Sequence, residues 1–189
     1  MTEAEAAADQ VRTTRPPRHW EADVLLRDGR TAHIRPIQPE DRALLVEFYS
    51  RVSDQSKYYR FFSPMPELSE RDLDRFTQVD HRDRVAFVML LGGSMIAVGR
   101  YDVVEPGQAE VAFLVEDKHQ GRGIGQQLLN MALDFCRQAG FKRVYLTTFA
   151  GLDAARHLYE RAGFKLYEEV EDRHWGEPLL EQKFELWLK

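Results

Sequence analysis

An apolar run, a glycine-rich turn and an amphipathic stretch follow one another closely between residues 111 and 137, and nothing else in the chain constrains its fold as strongly. The run is Val111-Ala112-Phe113-Leu114-Val115, and the turn is Gln120-Gly121-Arg122-Gly123-Ile124-Gly125. Ile124, Leu128, Met131, Phe135 and Cys136 then recur at helical spacing, and Gly140 closes the stretch as a helix C-terminal glycine does. A strand that feeds a helix through glycines is an anion cradle. Glycine lets successive N–H groups converge on one point, and the helix N-terminus adds partial positive charge. Such a site suits a diphosphate.

Three phosphate loops compete for this segment. A Walker A loop ends in Gly-Lys-Ser/Thr, which is absent. A dinucleotide fingerprint needs an acid about 20 residues on, where this chain has Lys142-Arg143-Val144-Tyr145. The third is Q-x-x-G-x-G, matched in order by Gln120, Gly123 and Gly125. On the motif alone, a glycine-rich helix start without a ligand stays open. Further on, Ala155-Arg156-His157-Leu158-Tyr159-Glu160-Arg161-Ala162-Gly163-Phe164 follows A-x-x-L-Y-x-x-x-G-F. Together the two segments resemble the GNAT acetyltransferases, over residues 24–189. The resemblance implies acetyl-CoA as co-substrate and an amine as acceptor.

The remaining function classes are bounded by composition. At 189 residues the chain suits one well-buried core. A single domain over residues 20–189 is therefore expected, preceded by a mobile arm over 1–19 that lacks a periodic apolar face. Net charge is −5 and no lysine-rich block occurs, which argues against nucleic acid as the main partner. Cys136 is the sole cysteine, so neither an intrachain disulfide nor a cysteine zinc site can form, and no HExxH or EF-hand pattern supplies a metal site. The longest apolar stretch, residues 85–98, is broken by Gly92-Gly93-Ser94 and is too short for a bilayer. No signal-peptide pattern opens the chain, so a cytoplasmic location without a membrane partner is expected. A homodimer is compatible with this composition.

The hydrophobic pattern predicts a hairpin over 22–26 and 31–35 about an Asp-Gly turn. Helices are predicted from Gln38-Pro39-Glu40-Asp41 with apolar Leu44, Leu45, Phe48 and Val52, over 53–61, and from Ser69 through Phe76. Strands are predicted over 84–91, 95–104, 109–115, 144–149, 164–169 and 184–189, with a helix over 152–162. The run from Val111 is apolar on both faces and should be central. This order suggests an α/β three-layer α/β/α sandwich around a mixed, mostly antiparallel sheet, the architecture the GNAT resemblance also implies.

Acetyl transfer from a thioester needs a base for the ammonium, donors for the oxyanion and a proton for the thiolate. Glu110 enters an otherwise apolar strand, so partial desolvation should raise its pKa, and it is the predicted base. The resemblance implies that Phe113, Leu114 and Val115 pair with the pantetheine amides, that an amide near Leu114 polarises the thioester, and that the backbone from Gln120 to Gly125 holds the pyrophosphate. It also implies Tyr159 as the acid for the CoA thiolate, against a packing role. Arg122 and Arg161 are candidate phosphate contacts. Glu116 and Asp117 are expected to be solvated, and His119 to be an exposed loop histidine. Family members often carry Asn where this chain has Leu152, so that contact is absent here or made by backbone.

The acceptor is read from two further resemblances. Arg35-Pro36-Ile37, the segment 53–62 and Arg75-Phe76-Thr77-Gln78-Val79-Asp80 resemble the catalytic domain of bacterial Pat-type protein lysine acetyltransferases. Residues 147–152 and 163–164, with Trp175-Gly176-Glu177 and Glu181-Gln182, are similar to the acetyltransferase half of MarR-fused regulators. A protein lysine is the expected acceptor. A small amine or amino acid is the alternative, and a non-catalytic acetyl-CoA sensor is the third. Tyr58, Tyr59, Phe61 and Phe62, beside Lys57 and Arg60, are expected to wall the acceptor groove.

Overall fold

A computed structural model describes residues 18–172 and 178–189. The predicted arm, apart from its last two residues, and the Trp175-Gly176-Glu177 segment lie outside the described residues. The strands are β1 (Ala22–Leu25), β2 (Thr31–Pro36), β3 (Arg84–Leu91), β4 (Ser94–Glu105), β5 (Gln108–Val115), β6 (Arg143–Phe149), β7 (Lys165–Asp172) and β8 (Leu179–Trp187). The helices are α1 (Arg42–Arg51), α2 (Asp54–Phe61), α3 (Glu70–Thr77), α4 (Ile124–Gln138) and α5 (Asp153–Arg161). The strands form one sheet in the order β1-β2-β3-β4-β5-β6-β8-β7, in which only β5 and β6 are parallel.

Two cores make this a three-layer structure. Strand alternation sends successive side chains to opposite faces. Ala109 and Val111 of β5 join Leu128, Leu129, Ala132 and Leu133 of α4, with Leu158 and Tyr159 of α5 packed against them. Leu114 faces the other way, into a core with Leu45, Phe48 and Tyr49 of α1 and Leu73 of α3. The expected α/β/α sandwich and mixed sheet are therefore found, with β5 central.

The differences from the sequence expectation are local. β8 begins five residues before the expected 184, and β7 extends to Asp172. Charged residues mask both segments, but β8 lies between β6 and β7, where pairing on both edges makes 179–183 extended despite Glu181 and Lys183.

The start of α1 is fixed by charge. Arg35 ends β2 and donates from Nη1 and Nη2 to the two Asp41 carboxylate oxygens, both at 2.7 Å. Asp41 also accepts from the Gln38 N–H at 2.8 Å, and it is 4% exposed. This bidentate pair clamps the sheet to the helix layer that walls the cleft. Breaking one side leaves a part-buried guanidinium without its carboxylate, at a cost of about 3 kcal/mol. Asp41→Ala is accordingly expected to lower the melting temperature by roughly 6–12 °C for a chain of this size, checked by differential scanning calorimetry.

Candidate active site

β5 and β6 share a ladder for only three residue pairs, Gln108–Arg143, Ala109–Val144 and Glu110–Tyr145. Each strand keeps its outer partner to its end. Val115 still pairs with Ala97 of β4, and Phe149 with Glu181 of β8. Beyond Glu110 the two strands part, and the gap opens into a cleft of about 930 Å³. Every second residue of 111–115 aims its N–H and C=O at this gap rather than at a neighbouring strand. Backbone polar groups in such a place require a partner, and a linear chain of amides supplies one.

The glycine turn sits at the mouth of the gap. Gly121 and Gly123 have φ of 74° and 81°, a left-handed conformation that costs other residues about 1–2 kcal/mol. Gly123 is the N-cap of α4, and no side chain caps that helix. Its first N–H groups are therefore left for an anion. At Gly125 a Cβ would come within 3.3 Å of Leu158 on α5, so any larger residue there would have to displace the Leu158 side chain by a few tenths of an ångström. Gln120 donates to the Val115 carbonyl at 3.1 Å and to the Ser56 hydroxyl at 3.3 Å, which ties the turn to β5 and α2.

Of the predicted site residues, Glu110, Phe113, Leu114, Val115, Gln120, Gly121, Gly123, Ile124, Gly125, Tyr159 and Arg161 all line the cleft. The Arg122 side chain is placed elsewhere: it donates to Asp28 at 3.0 Å and is not among the lining residues. Arg27, from the same hairpin as Asp28, stands over the turn instead. Its Nε is 3.2 Å from where a Gly123 Cβ would be. No sequence signal singled out Arg27, because its hairpin is 96 residues from Gly123. Leu152, at the position where the family often has Asn, lines the cleft just before α5.

Two expectations before the turn, for Glu116 and His119, are corrected. Glu116 is 2% exposed and pairs with Arg51 at 3.2 Å and Lys118 at 3.0 Å. Asp117 accepts from the Ser53 N–H, the Ser53 hydroxyl and the Ser56 hydroxyl at 2.6–2.8 Å. His119 is 5% exposed, and burial lowers its pKa. Glu116 and His119 are therefore buried, whereas Asp117 is exposed as expected, although Ser53 and Ser56 hold its carboxylate.

Glu110 lies where the strands part. Strand alternation puts its side chain on the Leu114 face, towards α1–α3. No described residue hydrogen-bonds or ion-pairs with its carboxylate. Burial raises its pKa above the usual glutamate value, and the nearby Arg60 charge pulls it partly back. Tyr159 reaches the cleft from α5, with its ring 6.2 Å from those of Phe164 and Phe184. Burial pushes its phenol up to about 12. Tyr59 and Arg60 on α2, and Phe62 at its C-cap, line the cleft. Phe61 instead packs against Phe76 and Tyr49, and Lys57 is buried with Nζ donating to the Pro66 carbonyl at 3.0 Å. Neither takes the groove position expected of it.

Comparison with known proteins agrees with this geometry. The acetyltransferase (GNAT) family profile matches residues 47–164. Acetyltransferase PA5475 of Pseudomonas aeruginosa is 33% identical over 159 residues, which are 82% of this chain and 84% of that protein. Acetyltransferase Pat of Mycolicibacterium smegmatis is 31% identical over 146 residues, 74% of this chain but 43% of Pat. The solved GNAT domain of S. lividans PAT is 40% identical with a TM-score of 0.80, covering 91% of this chain and 100% of that domain. The chain belongs to the GNAT family and is an acetyl-CoA-dependent acetyltransferase.

The turn yields a direct test. Gly123→Asp places a carboxylate at the anion cradle and within reach of Arg27. Acetyl-CoA stabilises the wild type by mass action, by about 2.7 kcal/mol at 100 times its dissociation constant. The variant, measured against its own ligand-free melting temperature, is expected to show no acetyl-CoA shift in a thermal melt.

Proposed function

We propose that residues 20–189 form one catalytic domain that transfers acetyl from acetyl-CoA to a protein lysine by direct attack in a ternary complex. The observation that carries this reading is Glu110: a desolvated carboxylate, without a hydrogen-bonding partner among the described residues, at the point where β5 leaves β6. In the proposed sequence Glu110 takes a proton from the lysine ammonium. The neutral amine attacks the thioester carbonyl, whose oxygen is held by the β5 backbone near Leu114. The C–N bond forms, the C–S bond breaks, and the CoA thiolate leaves towards Tyr159.

Tyr159 has a narrower role than full proton donor. A phenol near 12 is protonated at neutral pH, yet it is a weaker acid than a thiol at about 8.5. Proton transfer from Tyr159 to the thiolate is therefore uphill, and the phenol acts on the leaving sulfur chiefly as a hydrogen-bond donor. The thiolate takes its final proton as the product amide loses its own.

The protein acceptor is supported by the α1–α3 wall, the part of the chain that resembles Pat-type enzymes. The enzyme with acetyl-CoA and a cell lysate is expected to yield enzyme-dependent acetyl-lysines on mapping by mass spectrometry. Turnover on a free amine with no new acetyl-lysine would overturn the protein acceptor.

Glu110 gives a second test with opposite effects on activity and stability. A raised folded-state pKa means that ionised Glu110 opposes folding at pH 7, whereas the protonated form does not. Glu110→Gln is expected to lower kcat/KM by about 10²–10⁴-fold, the value of a positioned base, while raising the melting temperature at pH 7. The stability difference should vanish as the pH falls below the usual carboxylate range, where wild-type Glu110 is protonated in both states. Steady-state kinetics and calorimetry across pH check both effects.

A further inference from the structure

Two arginines stand at the proposed acceptor wall without an ion-pair partner among the described residues. Arg60, on α2, lines the cleft and also a second, small pocket of about 20 Å³ beneath α1–α3. Arg100, on β4, lines that small pocket and is 8% exposed. Its Nη1 donates to the Phe76 carbonyl at 2.9 Å, and its guanidinium lies 4.6 Å from the Phe76 ring centre. The Arg60 guanidinium lies 4.8 Å from the Phe61 ring centre. Neither arginine forms an ion pair among the described residues.

The charges around them do not balance. Arg60, Arg75, Arg84, Arg100 and Lys183 act on this region, against Asp102, Glu110 and Glu181. Asp102 is taken by Arg84 at 3.0 Å. Glu110 is coupled to Arg60 but not bonded to it. Burial pushes the Arg100 guanidinium down to about 9, and the like charge of Arg60 adds to this effect. Burial likewise lowers Arg60. Buried charges are normally paired. The small pocket has room for about one water, which cannot neutralise either cation. Arg60 has its other open side in the cleft that also holds Glu110.

We propose that Arg60 anchors a carboxylate carried by the acceptor beside its reacting amine. The chemistry has two sources, an Asp or Glu side chain next to a protein lysine and the α-carboxylate of a free amino acid. This rests on the acetyl-transfer reading and adds the acceptor's second functional group. A guanidinium fork fixes a carboxylate in orientation as well as position, which sets the amine for attack. It also couples recognition to catalysis. An unneutralised Arg60 holds the Glu110 pKa down. A bound carboxylate cancels that pull and adds negative charge, so Glu110 becomes a stronger base when the matching acceptor is seated.

The test uses matched acceptors and two readouts, CoA release and calorimetric binding to the enzyme–CoA complex. One set is capped peptides with lysine flanked by Asp or by Asn. The other is free amino acids and their carboxamides, whose lower amine pKa biases the comparison against the proposal. At least one wild-type carboxylate acceptor is expected to exceed its amide in kcat/KM by about 10–100-fold, the value of a charge-assisted pair. The set that shows the preference identifies the source. The acidic limb of the kcat profile should lie at higher pH for the carboxylate member. In Arg60→Gln the ratio is expected to fall to near one, with partial recovery in Arg60→Lys. Because each ratio compares substrates on the same Glu110, an altered base cancels.

A wild-type ratio near one in both sets, or one unchanged in Arg60→Gln, overturns the anchor and leaves acetyl transfer standing. A carboxylate preference in binding with no acetylated product supports the anchor and overturns transfer. Should the Arg60 variants fail to fold, the wild-type ratios and pH limbs decide.

Discussion

The site depends on the early end of the β5–β6 ladder. Two part-sheets, β1–β5 and β6–β8–β7, are joined through three residue pairs and then diverge. Within a sheet, a central strand spends its hydrogen bonds on both neighbours. After Glu110, β5 has β4 alone, and the unspent edge faces a cleft. The same divergence brings three things to one place: a free strand edge for a chain of amides, the uncapped start of α4 for an anion, and the Glu110 carboxylate.

The gap stays open because other contacts hold its sides. Phe149, 1% exposed at the end of β6, meets Tyr58, Tyr59 and Phe62 of the α2 segment at ring separations of 4.9–6.0 Å. On the other side, Asp117 takes three hydrogen bonds from Ser53 and Ser56 at the start of α2. Gln120 reaches Ser56 from within the turn. α2 is thereby fastened to β6 and to the glycine turn, so the donor side and the acceptor wall are one mechanical unit.

Burial and charge act against each other throughout the acceptor wall. Desolvation raises Glu110 and lowers Arg60 and Arg100, while the attraction between Glu110 and Arg60 restores part of the ionised state of each. A fold selected for stability alone would place apolar residues there. The large apolar cores above and below the sheet offset the cost of this arrangement.

Much of this was legible in the sequence because it is local. Periodicity and helix-start signals identified the five α-helices, glycines at 121 and 123 marked the tight turn before α4, and the polar residue opening the apolar β5 run marked Glu110. The ends of β7 and β8 were not legible, since their charged residues become extended only when paired with a neighbouring strand. The burial of Glu116 and His119 was not either, because it rests on contacts between segments far apart in the chain, such as that of Arg51 with Glu116. Tertiary structure alone decided that Arg27 rather than the Arg122 side chain stands over the turn, that Phe61 turns into the core, and that Arg60 faces Glu110 without a partner. Sequence by itself determined which segments curl, pleat or coil, because those preferences act over a few neighbouring residues. The charge balance of the cleft was decided by the fold, because it is summed over strands and helices that meet only in space.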